Sequence, residues 1–305
     1  MKTIQLKRRI KSYIYLIRPF TLLAPIIVSI CIMIASFFYN GESDDLLTIC
    51  WRTIIPASFT LAILNGASNA LNQFTDIKSD KISKPYRPII RGEVSPNEAL
   101  LTSFLLYITA FALSILINPM FSMFALLIVI FTVTYSLPPR IKDILFLNQL
   151  WVGVPRGLLG VLASWSVFGN ALEPLPITIG LIAMCFLMGG SITKDIIDSE
   201  ADKKTGSYTL VNTYGVKKAA LMALPLMIFP FIYIPIFIDI GVLDSYLWLL
   251  TFLAIPAYFV FYLMFKGEKK IRFIENTPSW TLMYITYFIF AFGFSILTII
   301  GSVTA

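Results

Sequence analysis

Nine apolar runs, each about twenty residues and so long enough to cross a hydrocarbon core, divide this chain. They are Phe20–Phe38, Thr53–Phe74, Glu98–Ile117, Met120–Leu137, Leu147–Val167, Pro176–Lys194, Lys218–Asp239, Tyr246–Phe265 and Ser279–Ile300. Runs of that length set the fold class: an all-α polytopic membrane protein, with nine transmembrane helices around a central cavity and one domain across residues 1–305. A mean hydropathy of +0.81 agrees, because soluble domains do not tolerate so apolar a composition. The first run is too long for the core of a signal peptide, and no small-residue cleavage site follows it, so it is read as the first helix. Cys31, Cys50 and Cys185 have no paired spacing and point to neither a disulfide framework nor a zinc site. The absence of histidine removes imidazole ligands and imidazole acid–base chemistry.

Basic residues assign a direction to the spans. Lys2, Lys7, Arg8, Arg9, Lys11 and Arg18 precede the first run, and Lys78, Lys81, Lys84, Arg87 and Arg91 follow the second. Arg140 and Lys142, then Lys203, Lys204, Lys217 and Lys218, then Lys266, Lys269, Lys270 and Arg272 fall on the same side if there are nine spans. The opposite connections hold Glu42, Asp44, Asp45, Glu173, Asp239 and Asp244, with Arg52 the base among them. The expectation is a cytoplasmic N-terminus and an outer C-terminus. The net charge of +7 is then explained by retained basic loops, and no nucleic-acid partner is needed.

Acidic residues are concentrated at two places. Asp76-Ile-Lys-Ser-Asp80-Lys81 recurs as Asp198-Ser-Glu-Ala-Asp202-Lys203, each copy after a span running toward the cytoplasm. The copies lie four spans apart, which suggests two parallel four-helix halves plus one helix. Asn65, Asn69, Asn72, Asp76 and Asp80 are three or four apart, as are Lys194, Asp195, Asp198 and Asp202, so each set is expected on one helix face. Clustered carboxylates repel unless a cation neutralises them, and an all-oxygen donor set suits Mg²⁺. Lys84, Arg87, Arg140 and Lys142 beside these acids suit a polyphosphate, whose charge both metal and guanidinium groups meet.

With these residues the chain resembles the UbiA superfamily of intramembrane prenyltransferases. The family's NDxxDxxxD motif and basic KPxRP segment correspond to Asn72-Gln-Phe-Thr-Asp76-Ile-Lys-Ser-Asp80 and Lys84-Pro-Tyr-Arg87-Pro88. Its DxxDxxxD motif corresponds to Asp195, Asp198 and Asp202, and its YSxPP segment to Tyr135-Ser136-Leu137-Pro138-Pro139 before Arg140 and Lys142. Arg18-Pro19 at the first span is also typical. Gln73 stands where a second Asp is usual, Ala201 replaces a common Gly, and Ile90-Arg91-Gly92 replaces a frequent Pro-Ser-Gly. The Lys84–Ile89 segment is most similar to the branch holding the archaeal ether-lipid enzyme and the chlorophyll synthases.

The resemblance implies Mg²⁺-dependent transfer of an isoprenyl group from a prenyl diphosphate, such as geranylgeranyl diphosphate, to a lipophilic acceptor. An ether-lipid glycerol phosphate is one such acceptor; a quinone precursor or chlorophyllide is the alternative. Asn72, Asp76, Asp80, Asp198 and Asp202 are expected to hold the metal, and Asn72, Lys84, Arg87, Arg140 and Lys142 the diphosphate. Asp76, Asp198, Asp195 and Tyr135 are the expected catalytic group, with Tyr135 singled out for contact with the allylic cation. Asp195 could position metal-bound water, orient a lysine or deprotonate the acceptor. Arg18, Asn69, Arg156 and Lys194 are expected around the acceptor or cavity, where Arg156 either binds an acceptor anion or pairs with an acid. The site would open to the cytoplasm. A secondary transporter is the rival reading, but transporter sites favour the bilayer midplane, whereas these acids gather at one face.

Overall fold

The computed structural model describes residues 2–267 and 276–304, and its regular secondary structure is helical. In chain order the helices are α1 (Lys2–Ile17), α2 (Pro19–Tyr39), α3 (Leu46–Thr75), α4 (Ile77–Ser83), α5 (Pro96–Ile115), α6 (Pro119–Ser136) and α7 (residues 147–165). Then follow α8 (Pro174–Thr205), α9 (Leu210–Tyr214), α10 (Val216–Asp239), α11 (Ser245–Lys266) and α12 (Pro278–Thr304). Lys269, Lys270 and Arg272, expected on the basic side, lie outside the described residues.

Among the described residues, 8 helices are long and apolar enough to cross a membrane. The ninth expected span is α7, which differs in kind. Two α-helical pieces, Leu147–Gly153 and Leu159–Trp165, flank a π-helical turn at Val154–Leu158. Pro155 has no N–H to donate within that turn, and Asn148, Gln149 and Arg156 make the segment more polar than its neighbours. The Tyr287 hydroxyl of α12 donates to the Arg156 carbonyl at 3.1 Å, tying the irregular turn to its neighbour. The count of nine therefore depends on α7.

Helix boundaries depart from the sequence reading at the acidic ends. The stripe from Asn65 to Asp80 does not lie on one helix: α3 ends at Thr75, and Asp76 is its C-cap, with φ −102° and ψ 16°. Asp80 sits on the separate helix α4. In contrast, α8 continues well beyond Lys194, through a turn at Ser191, so its acids ride on an extension of a span.

Helix α8 is the most enclosed of the spans, with 72% of its apolar window buried. Small residues let its neighbours approach, as expected where lipid gives no hydrophobic drive to helix pairing. A Cβ added to Gly157 of α7 would run into the Met184 backbone and lie 2.8 Å from the Ala183 carbonyl carbon. One added to Gly153 would lie 2.8 Å from the Met184 carbonyl oxygen. Gly157→Ala must push α7 off α8, and overpacking of this kind costs about 1–3 kcal/mol or more. We expect a lower melting temperature in detergent and loss of monodisperse protein on mild heating; an unchanged melting curve would show that the two helices separate freely.

Candidate active site

The site begins at the break between α1 and α2. Arg18 adopts a left-handed backbone with φ 56°, and the carbonyls at the end of α1 lose their helical donors there. Side-chain amides of α3 replace them. Gln73 donates to the Leu16 carbonyl at 2.6 Å and Asn69 to the Ile17 carbonyl at 2.9 Å. Inside α2, the Thr21 carbonyl, whose helical donor would be the N–H that Pro25 lacks, accepts from Asn65 at 3.0 Å. The polar stripe on α3 is thus partly structural. Asn69 borders the cavity as expected, but its amide is engaged by Ile17 and, at 2.8 Å, by the Thr21 hydroxyl. Gln73 faces α1 and not the cavity.

Every residue selected from the sequence for metal, diphosphate, catalysis or acceptor lines one cleft of ≈ 870 Å³. The C-terminal ends of α3 and α8 both reach it, so the two acidic copies converge on a common space. A smaller, mostly apolar cavity of ≈ 110 Å³ adjoins it, lined by Val28, Leu61, Leu64, Ile128 and Leu187. Thr21, Thr132, Pro155, Arg156, Trp280 and Tyr284 border both spaces.

At the cleft mouth the acids are paired with bases. Asp76 meets Lys142, with the Arg140 guanidinium 3.5 Å away. Asp80 pairs with Arg87, and Asp198 with Lys84, which joins the segment after α4 to α8. Burial pushes the Asp80 carboxyl above its ordinary pKa against the opposing pull of Arg87 and Lys84. Burial also lowers the Lys84 and Lys142 ammonium groups, despite their acid partners. Asn72 accepts a hydrogen bond from the Ser136 hydroxyl. Asp202 borders the same cleft. Among the described residues no three acids stand at metal-binding spacing.

The inner end is cationic. Burial, and next the charge of Arg87, bring the Arg18 guanidinium down to about 10. Arg18 and Arg156 have no ion-pair partner among the described residues. Lys194 donates to the Tyr135 hydroxyl at 2.6 Å, and Tyr135 in turn donates to Asn148 at 3.0 Å. The ammonium groups of Lys194 and Lys142 lie 5.2 and 6.0 Å from the centroid of the Tyr135 ring. That ring therefore already faces two cations of the protein. Asp195 is 3% exposed, with the Gln149 amide at 3.5 Å and Lys194 at 4.0 Å.

The profile of the UbiA prenyltransferase family matches residues 28–273. The chain belongs to this family. A digeranylgeranylglyceryl phosphate synthase from Methanosphaera stadtmanae is 28% identical over 263 residues, 85% of this chain and 89% of the relative. Another from Methanococcoides burtonii is 34% identical over 161 residues, 53% of this chain and 56% of the relative. Among solved structures, a UbiA homologue from Archaeoglobus fulgidus bound to GPP and Mg²⁺ has a TM-score of 0.69 at 19% identity, covering 96% of this chain and 100% of that one. A structure of digeranylgeranylglyceryl phosphate synthase has a TM-score of 0.66 at 23% identity, covering 97% and 99%. These two carry the fold.

Several polar and aromatic residues of the UbiA-family cleft escaped the sequence reading. Trp280 and Tyr284, 4.6 Å apart between ring centroids, form an aromatic wall where the polar and apolar spaces meet. Their only sequence signal is position on the last apolar run, which any lipid-facing aromatic shares. Asn148, and Gln149 behind the cleft against Asp195, were detectable as amides inside an apolar segment, the same signal that singled out Arg156.

Proposed function

We propose that this UbiA-family chain transfers a polyprenyl group from its diphosphate to a hydroxyl of a glycerol phosphate lipid. The observation that carries this is the cleft itself: two acidic helix ends and a set of bases at its mouth, an apolar cavity behind, and between them Arg18 and Arg156, without an ion-pair partner among the described residues. The donor set fits a hard cation, being carboxylate and amide oxygen throughout. Asn72, Asp76, Asp80, Asp198 and Asp202 would hold Mg²⁺, which when bound supplies charge neutralisation to the leaving diphosphate.

The chain's own residues do the rest. Lys84, Arg87 and Lys142 exchange their carboxylate partners for diphosphate oxygens, and Arg140 turns from Asp76 to them while keeping Asp143. The apolar cavity takes the start of the prenyl tail, and Trp280 and Tyr284 flank the allylic carbon and keep water from it. Arg18, Arg156 and Lys194 meet the acceptor's phosphate, and the names of the sequence relatives support that acceptor class. The allylic C–O bond breaks with its electron pair leaving on diphosphate, the acceptor oxygen bonds to the carbon, and Asp195 takes the hydroxyl proton. Purified protein given geranylgeranyl diphosphate and a prenylglyceryl phosphate should yield the doubly prenylated lipid by mass spectrometry, with one diphosphate released per product. Prenylation of 4-hydroxybenzoate in place of the lipid would overturn the acceptor, and no diphosphate release would favour the transporter.

We also assign nine spans, an N-terminus in the cytoplasm, a C-terminus outside and a cleft open to the cytoplasm, supported by the distribution of lysine and arginine. Single cysteines at Ser83 and Thr205, in a background lacking the native three, should react with an impermeant maleimide from the cytoplasmic side. One at Ser43 should react from outside. Opposite sides for Ser83 and Thr205 would contradict a shared cleft.

A further inference from the structure

Asp143 has no part in the acidic motifs, yet it stands between the two halves of the cleft. It lies in the connection from α6 to α7, in a short 3₁₀ turn at Ile141–Asp143. Arg140 just before it has φ 52° and ψ 60°, a left-handed backbone that a side chain makes costly by about 1–2 kcal/mol. Such a conformation persists where surrounding contacts over-determine it. Here the contacts come from three sources. The Arg140 Nε donates to Asp143 Oδ2 at 2.8 Å, one Nη donates to the Thr75 carbonyl at 3.2 Å, and the other lies 3.5 Å from Asp76.

The other oxygen of Asp143 reaches the opposite half. Asp143 Oδ1 accepts from the Ser207 hydroxyl at 2.8 Å, and its carbonyl accepts from the Tyr208 amide at 3.4 Å. Ser207 belongs to the segment leaving α8. Its carbonyl accepts from the Asn212 amide at 3.4 Å, and Asn212 Oδ1 accepts from the Ser199 hydroxyl at 2.8 Å. Ser199 adjoins Asp198. A continuous hydrogen-bonded path thus runs from the Thr75 carbonyl at the end of α3, beside Asp76, through Arg140, Asp143, Ser207 and Asn212 to the residue beside Asp198.

We infer that Asp143 is a positioning residue, a strut that aims Arg140 into the cleft and sets the spacing of the two acidic helix ends. Each carboxylate oxygen already has its own partner, so Asp143 acts through Arg140 and Ser207 and not on a substrate. Its effect on diphosphate capture rests on the prenyl-transfer reading above; its effect on the spacing does not.

The test is a double-mutant cycle of Asp143→Ala and Ser207→Ala in the full-length protein, read by prenyl-transfer kinetics and by calorimetric binding of magnesium pyrophosphate. Asp143→Ala should raise KM for the prenyl diphosphate about tenfold with kcat changed less than about threefold, since capture geometry is lost before chemistry. Ser207→Ala should act in the same direction, and the double variant should be no worse than Asp143→Ala alone. Asp143→Asn keeps an acceptor for Ser207 but loses the charge facing Arg140, and should fall between. A rise in KM below about twofold, or multiplicative effects in the double variant, would overturn the strut. Hydrogen exchange reads the strut without any substrate. Asp143→Ala should speed exchange of the Tyr208 amide, and unchanged exchange there rejects the strut, whatever the activity. If the wild-type protein neither transfers prenyl groups nor binds pyrophosphate while that amide responds, the functional reading fails and the strut stands.

Discussion

Asp76→Ala should lower turnover by about 10²–10³-fold or more while the protein remains folded, the scale expected when one group stabilising developing charge is removed. Asp76 is the C-cap residue of α3, and its side chain meets Lys142 and Arg140 at the cleft mouth. Without it the proposed metal loses a ligand on the side where the leaving group gains charge. Lys142, only 10% exposed, loses its acid and is left to face the diphosphate alone. Ground-state binding should therefore hold or tighten while kcat collapses, a split that a merely unfolded variant would not give. Asp198→Ala should do the same from the other side by releasing Lys84. Steady-state kinetics beside a melting curve check both, and EDTA reversed by Mg²⁺ should reproduce the loss in the wild type. Wild-type rates in either variant would remove the metal assignment.

Arg87→Ala should weaken the fold as well as the site. Sequence reasoning expects a ground-state effect on diphosphate capture, seen as a higher KM. The structure adds that Arg87 is 8% exposed and its partner Asp80 2%. Removing one member of a buried ion pair leaves an uncompensated charge and costs about 3–5 kcal/mol. The melting temperature of Arg87→Ala should fall clearly. Arg87→Met with Asp80→Asn, which leaves neither charge behind, should restore most of it without restoring activity. A single variant as stable as wild type would show that Asp80 is solvated or protonated once Arg87 is gone.

Length and apolarity exposed the spans, because lipid enforces one solution for an apolar run. Charge in such a chain is conspicuous, so the cleft residues stood out: an acid or base on an apolar background needs a reason to be there. The break at Asp76 was hidden because a spacing of three or four continues across it, although the backbone does not. Trp280 and Tyr284 were hidden for the opposite cause, since an aromatic on an apolar helix carries no mark of which way it faces. Asn65, Asn69 and Gln73 were visible as polar, but their work for the carbonyls freed at the α1–α2 break and at Pro25 depends on contacts more than forty residues apart. The π-helical turn of α7 had a cue in Pro155, yet proline in a membrane helix more often signals a kink.

The acid–base pairs at the cleft mouth also bear on how the protein is made. Asp76 with Lys142, Asp80 with Arg87 and Asp198 with Lys84 cancel one another's charge before any ligand arrives. A newly inserted chain therefore meets compensated charge where its two halves join, a seam that the Asp198–Lys84 pair itself crosses.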